Sequence, residues 1–281
     1  MSRGSASERE EGNMDWSRAK TILIVTFLLL DLFLGYQVIM SQNRDIETAP
    51  QGELIPSSLE ELLKTRNITL DTGIPNETPQ MNYVNVRFTS FAHHLQSLTG
   101  QVIGQQGVGV MVKFNEPVKL SDFTNKAEEL KILEPYTIYG RDYIFDEKRS
   151  SDTVQRYVQQ YGKYPIFSAP LDIVVNEKRI TGYRQIHVQI VNQGTGRKII
   201  PAFTAVRTLL DNGYIRYGEN ISDVSVGYYG HMYDADIQVL APVWRVVHTE
   251  GVHYVNGITG AIEQAPPLEK NSIISNNNTS K

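Results

Sequence analysis

The chain has no cysteine. That single absence removes disulfide staples, thiol nucleophiles and a lipidated-cysteine anchor, so any exported part is held by its core and backbone pairing alone. Positive charge is not in excess either: 27 Lys and Arg face 31 Asp and Glu, a formal charge of −4. A balance of that sign argues against nucleic acid, or a polyanionic wall polymer, as the main ligand. There is no G-x-S-x-G elbow, no H-E-x-x-H and no facial His/carboxylate spacing among the six histidines. His93 and His94 are adjacent and cannot easily face one ion, while His248 and His253 flank a turn across which they can meet. The glycine-rich run Gly104 to Gly109 lacks the Lys-Ser/Thr of a phosphate loop and leads into a strand, so it reads as a turn. Paired acids at Glu60-Glu61 and Glu128-Glu129 sit on expected amphipathic helices as solvated faces. A glycosidase pair of distant carboxylates stays open, because sequence does not show their separation. The expectation is a chain that is not an enzyme, with no catalytic residues, no metal and no cofactor.

Long apolar runs are also scarce, with one exception. Thr21 to Met40 is a mostly apolar run with a single charged residue, Asp31 near its centre, and Arg18 and Lys20 precede it. As a helix, about twenty residues span a ~30 Å hydrocarbon layer once. A mid-membrane carboxylate costs roughly 2.5–3.5 kcal/mol, against about 0.3–0.6 returned by each Leu, Ile or Phe, so insertion survives. The run exceeds a signal-peptide core, and Ser41-Gln42-Asn43-Arg44-Asp45 offers no small-x-small cleavage pattern. An uncleaved signal-anchor is expected, its amino end cytoplasmic by the positive-inside rule and the remainder outside the cell membrane.

The expected plan is a cytoplasmic stub (1–20), a transmembrane helix (21–40), a linker (41–56), two extracytoplasmic α+β subdomains (57–165 and 166–265) and a disordered tail (266–281). Fifteen tyrosines and nine phenylalanines among many Val, Ile and Thr favour sheet. Ser58-Leu59-Glu60-Glu61 opens a short helix to about Thr65, Ser121-Asp122 opens another to about Leu133, and Ser151-Asp152 caps a third ending near Tyr161-Gly162. Strands are expected at Tyr83–Phe88, Val108–Phe114, Tyr136–Phe145, Leu171–Asn176, Arg184–Val191, Val224–Tyr229 and Ile237–Leu240. Pro201 starts a helix that stops at Asp211-Asn212-Gly213. Val243–Val247 and Val252–Val255 form a hairpin before a last strand at Ala261-Ile262. Irregular mixing of helices and strands implies an α+β fold with antiparallel sheets packed by helices.

Met14-Asp15-Trp16-Ser17-Arg18 leads into a helix ending Leu30-Asp31-Leu32-Phe33-Leu34-Gly35-Tyr36-Gln37. This closely resembles the amino end of the YycI family, regulators of the WalK/WalR (YycG/YycF) two-component system of low-GC Gram-positive bacteria. In that family M-D-W-x-[RK] leads into a helix ending L-D-x-F-L-G-Y-Q. The resemblance extends from Met14 to about Gln264, is most specific at the helix, and makes Met14 the candidate natural start. It implies an exterior of two subdomains like the distal part of YycH. The implied partners are the WalK sensor histidine kinase and YycH within the lipid bilayer, and the implied effect is on kinase output and cell-wall metabolism. A weaker likeness links Val243 to Glu263 with the tail of a PepSY-type module, which implies the alternative of an anchored inhibitor of an exported peptidase.

Helical spacing puts Ile24, Phe27, Asp31, Leu34, Gly35 and Val38 on one stripe. Gly35 admits a close backbone, and membrane helices associate by packing and hydrogen bonds. The stripe is the expected docking face for the helices of WalK and YycH, with Asp31 hydrogen-bonding across it. The alternative, in which Asp31 is satisfied by backbone or by water in a bilayer defect, stays open at this point.

Overall fold

A computed structural model describes residues 16–42, 57–92, 101–106, 109–119, 130–131, 133–134, 136–231 and 235–263. The chain falls into two compact units, Met1–Gln51 and Gly52–Lys281. The first contains α1, Trp16–Gln42, 27 residues. Side chains are described for residues 20–34 of it, and their large apolar members, Ile22 to Leu34, are all exposed within the chain. Among the described residues no helix is long and apolar enough to cross a membrane.

In the second unit, two-residue turns do much of the building. β7 (Val154–Tyr161) and β8 (Tyr164–Asn176) pair antiparallel as far as Tyr161↔Tyr164 around Gly162-Lys163. Gly162 supplies the left-handed backbone such a turn needs, at φ 60°. β8 and β9 (Arg179–Ile186) turn at Glu177 and Lys178, both at positive φ. The helix expected over Ser151–Tyr161 is therefore the strand β7. Its buried Tyr157 and Val158 belong to a sheet, and the glycine taken for a helix stop closes a hairpin. Likewise only Tyr143–Phe145 (β6) of the expected Tyr136–Phe145 strand is extended. Before it, Thr137 bonds back to the Leu133 carbonyl and Gly140–Asp142 forms a 3-10 turn, which coils the backbone away from a ladder. The helix expected from Ser121 lies largely outside the described residues.

Other elements match expectation within a few residues. They are α2 (Ser57–Thr65), β3 (Val84–Phe88), β5 (Gly109–Lys119), α3 (Ala202–Asp211), β12 (Asn220–Tyr229), β14 (Gly251–Asn256) and β15 (Ile262–Glu263). The expected strands Ile237–Leu240 and Val243–Val247, by contrast, are one continuous strand, β13 (Gln238–His248), and the expected Arg184–Val191 is divided between β9 and the strand that starts at Val188. The short strands β1 (Thr69–Leu70), β2 (Gln80–Met81) and β11 (Arg197–Lys198), with β4 (Gln101–Gln106) and β10 (Val188–Gln193), complete the set described. The result is an α+β unit with one large, mostly antiparallel sheet and few helices. The main path through the sheet is β10-β3-β13-β12-β8-β9-β5-β4, with β6 and β7 continuing from β8 and β14 and β15 from β13. Its two halves meet at a parallel contact, Tyr228↔Ile166.

α3 shows why these residues fold so. Ala202, Ala205, Val206, Leu209 and Leu210 recur at helical spacing and are all buried. Trp244 on β13 packs on the same side and donates Nε1–H to the Ile200 carbonyl at 2.8 Å, fixing the entry to α3. A second apolar cluster gathers Val110, Val112, Tyr143, Tyr157, Leu171, Ile173 and Tyr183. The expected boundary at 165/166 lies inside β8. That strand gives Ile166 and Ala169 to the first cluster, Phe167 to a third small one and Leu171, Ile173 and Val175 to the second.

At the seam between halves, a Cβ on Gly227 would stand 2.5 Å from the Pro165 carbonyl oxygen and 2.6 Å from the Phe167 ring. Gly227→Ala is expected to destabilise the fold by at least about 1–3 kcal/mol through overpacking, read as a lower urea midpoint.

Candidate functional site

Sequence reasoning placed its site on α1. At about 100° per residue, Ile24, Phe27, Asp31, Leu34, Gly35 and Val38 fall within an arc of about 100°. Ile24, Phe27 and Leu34 are 63%, 57% and 47% exposed, so the described part of this stripe is free of contacts that would bury it. Asp31 is exposed too. The side chains of Gly35 and Val38 lie outside the described residues.

Among its described residues the globular unit carries three polar constellations, and the largest is ionic. Arg245 projects from β13 on the face opposite Trp244 and is 6% exposed. One of its nitrogens donates to Asp146, another to Asp223 at 3.0 Å, and Nε to Ser225, while the guanidinium lies 4.4 Å from the Phe167 ring centroid. Burial opposes the charge on Arg245, yet the Asp146 and Asp223 carboxylates raise its pKa above the usual arginine value. Beside it, Arg156 grips Asp172 with two bonds of 2.6 and 2.8 Å, and Arg184 adds a third at 2.9 Å. Burial would push the Asp172 carboxyl up; the two arginines hold it below the usual carboxylate range instead. The backbone knits these pairs together, since Asp146 N–H donates to the Arg156 carbonyl at 2.8 Å. Arg149 ends the short 3-10 turn that begins there.

The second constellation is a chain of three side chains at the β13–β14 turn. Glu219 accepts from His248 Nδ1, and His248 Nε2 lies 2.9 Å from His253 Nδ1. In the tautomer with neutral imidazoles and His248 Nδ1 donating to Glu219, His248 Nε2 accepts from His253 Nδ1 and the His253 Nε2 lone pair is outermost. The two histidines therefore meet across the turn as their spacing suggested. Loss of solvent and the neighbouring His248 lower the His253 pKa. Burial acts to raise Glu219, but the Arg216 N–H and His248 outweigh it and lower the pKa.

Third, Thr89 Oγ1 lies 2.7 Å from His187 Nδ1, and His187 Nε2 lies 3.0 Å from Asp142. The order matches a hydrolytic triad, but its polarity is reversed: Thr89, in the nucleophile position, is 6% exposed while the Asp142 side chain is 48% exposed. A substrate carbonyl has no route to Thr89, and the chain works as a fastener between β3 and the β9–β10 junction. Among the described residues no group of three or more His, Cys, Asp or Glu is arranged to hold a metal ion. His93 and His94 lie outside the described residues, as do Glu128 and Glu129; Glu60 and Glu61 are exposed on α2.

Sequence reasoning missed the ionic cluster. Its only signal was a charge at an inward position of a buried strand, Arg245 within Val-Trp-Arg-Val-Val, and Asp172 within Pro-Leu-Asp-Ile-Val.

Residues 53–258 match the profile of the YycI family, described as YycI protein. The chain belongs to the YycI family. This is a regulatory family tied to the WalK/WalR system and is not known for enzymatic activity. The matched region lies outside the Met14–Gln37 motif. No match was found among curated proteins. Solved structures are similar only loosely, as two of them show. One is an uncharacterized protein from Eubacterium rectale ATCC 33656, with 12% identity, TM-score 0.46, 76% of this chain and 100% of that one covered. The other is the Bacillus megaterium YpeB C-terminal domain, with 10% identity, TM-score 0.34, 76% and 97% covered. At these scores neither carries an argument about function.

Arg245→Met leaves Asp146 buried without its partner and is expected to cost about 3–5 kcal/mol in urea unfolding. Arg207→Gln, at the exposed Arg207–Asp211 pair, is expected to cost under about 0.5 kcal/mol. The pKa of His187 is lowered by desolvation, as is that of His253. The unfolded chain thus binds more protons as pH falls below about 6.5, and stability declines toward about pH 5. A His253→Gln variant should show a shallower decline of the urea midpoint over that range.

Proposed function

We propose that this YycI-family chain is a membrane-anchored accessory regulator that binds the WalK sensor histidine kinase together with YycH and modulates its activity. In this reading residues 21–40 cross the cell membrane once, residues 1–20 are cytoplasmic, and the globular unit is extracytoplasmic. Family membership over residues 53–258 is the observation that carries the reading. The run of apolar side chains along α1, Ile22 to Leu34, supports the anchor.

The chemistry of the interface is a helix-to-helix contact. Lipid is as apolar as leucine, so packing around Gly35 and a hydrogen bond from Asp31 supply the selectivity. A regulator of this kind shifts the kinase only by contacting its two signalling states unequally. The globular unit holds YycH in register or receives a ligand. The PepSY-like alternative has weak support, and its mark would be peptidase capture by the Val243–Glu263 segment without α1.

Co-purification of WalK and YycH with full-length protein from membranes tests the reading. Asp31→Leu is expected to reduce kinase recovery while membrane insertion is kept or improved. Unchanged recovery with Asp31→Leu would remove Asp31 from the interface, and no recovery with the full chain would end the proposal.

A further inference from the structure

His248 and His253 are diagonal neighbours on one face of the β13–β14 hairpin, whose register pairs Val246 with His253 and His248 with Gly251. With Glu219 they form a chain. The carboxylate accepts from His248 Nδ1, and His248 Nε2 stands 2.9 Å from His253 Nδ1. A nitrogen pair at that distance holds one proton, since two N–H groups would collide and two lone pairs would repel. The chain closes separate segments onto one another. Glu219 lies just before β12, and its backbone carbonyl accepts from Thr69 N–H of β1 at 3.1 Å. Tyr214, in the loop after α3, meets the His253 ring edge-on at 4.8 Å, and the His248 ring lies 5.0 Å from that same ring. Glu219 and His248 are buried, whereas His253 is half-buried and Tyr214 is exposed. Solvent therefore reaches the chain at its His253 end.

Protons can be counted along it. With neutral imidazoles each of the two inner contacts carries one proton, and the His253 Nε2 lone pair is outermost. A first added proton enters there and breaks no bond, and the imidazolium it creates is offset by Glu219. Glu219 itself is held ionised by the Arg216 N–H at 2.9 Å and by His248, which outweigh its burial. A second added proton thus falls on His248 Nε2, whose lone pair is already engaged. Two N–H groups and two cationic rings would then face each other, with one carboxylate to offset them. On the elements packed around the pair, Glu250 gives Glu219 a backbone donor, the Arg66 guanidinium is turned to the Leu210 carbonyl, and Tyr214 presents its ring.

We propose that Glu219, His248 and His253 form an acid-operated latch, which stays closed with one added proton and on a second lets His253 and the Tyr214 loop come away from the end of β13. Release is local: the β12–β13 ladder, from Ile221↔His248 to Tyr229↔Ala241, keeps its backbone pairing. The latch needs neither membrane nor kinase, so its failure and that of the regulatory reading are separate.

Amide hydrogen exchange of the full-length chain in detergent, read by mass spectrometry between about pH 8 and about pH 4 and corrected for intrinsic rates, tests this. Protection over residues 212–218 and 249–254 should fall at least about tenfold toward the acid end while the β12–β13 ladder stays protected. His253→Gln keeps a donor for His248 Nε2 but takes up no proton, and should abolish most of that fall. Glu219→Gln keeps an acceptor but removes the offsetting charge, and should move the fall to higher pH by about one unit. Ladder protection at about pH 8 shows that each variant is folded, and His253→Gln decides the matter alone if Glu219→Gln is not. Protection unchanged down to about pH 4, a fall undiminished in His253→Gln, or a ladder that opens in step with the loop would each overturn the latch.

Discussion

The contact between Arg245 and Asp146 bears on everything around it. Arg245 sits on the strand that carries Trp244 to the helices, and Asp146 sits on the turn that leads into β7 and the second apolar cluster. A buried charge without its counter-ion costs several kcal/mol, so neither half can keep its member in place while the other moves. The pair therefore acts on geometry more than on net stability. It sets how the β12–β13 ladder lies against the β6–β7 turn, where the halves meet in the parallel contact Tyr228↔Ile166.

The same economy appears in β8. One strand feeds three apolar clusters because its alternation is interrupted near Pro170, where the pairing with β7 changes register. A chain without disulfides gains order here from shared elements rather than from covalent links. The Glu219–His248–His253 chain and the Thr89–His187–Asp142 chain do similar service at two other junctions, each tying segments distant in sequence.

Much of this was legible in the residues, and the failures have physical causes. α3 could be read from Pro201, its apolar spacing and the Asn212-Gly213 stop, and the β13–β14 hairpin from alternation on both sides of Thr249-Glu250. Ser151 to Tyr161 misled because Ser-Asp followed by mixed Gln, Arg and Tyr satisfies helix capping and composition while also alternating as a strand. Propensity does not separate these, and pairing with β8 decides it. Tyr136–Phe145 misled because aromatic alternation carries no information about a 3-10 turn at Gly140. The family could be read from Met14–Gln37, and the meeting of His248 with His253 from their places beside a turn. The ionic cluster could not, because Asp146, Asp172, Asp223 and the four arginines are dispersed along the chain and come together only through sheet topology.

The placement of β3 carries a consequence for how the chain reaches its native state. Val86 pairs with Ile190 on one side and with Gln238 on the other, both far downstream. Until β10 and β13 have been synthesised, β3 has neither neighbour and presents two open edges. Such non-local pairing is slow to form and prone to aggregate while incomplete. β3 therefore keeps both edges open until the segments near residues 190 and 238 have been made, and the first-made strand of this part of the sheet is among the last to be enclosed.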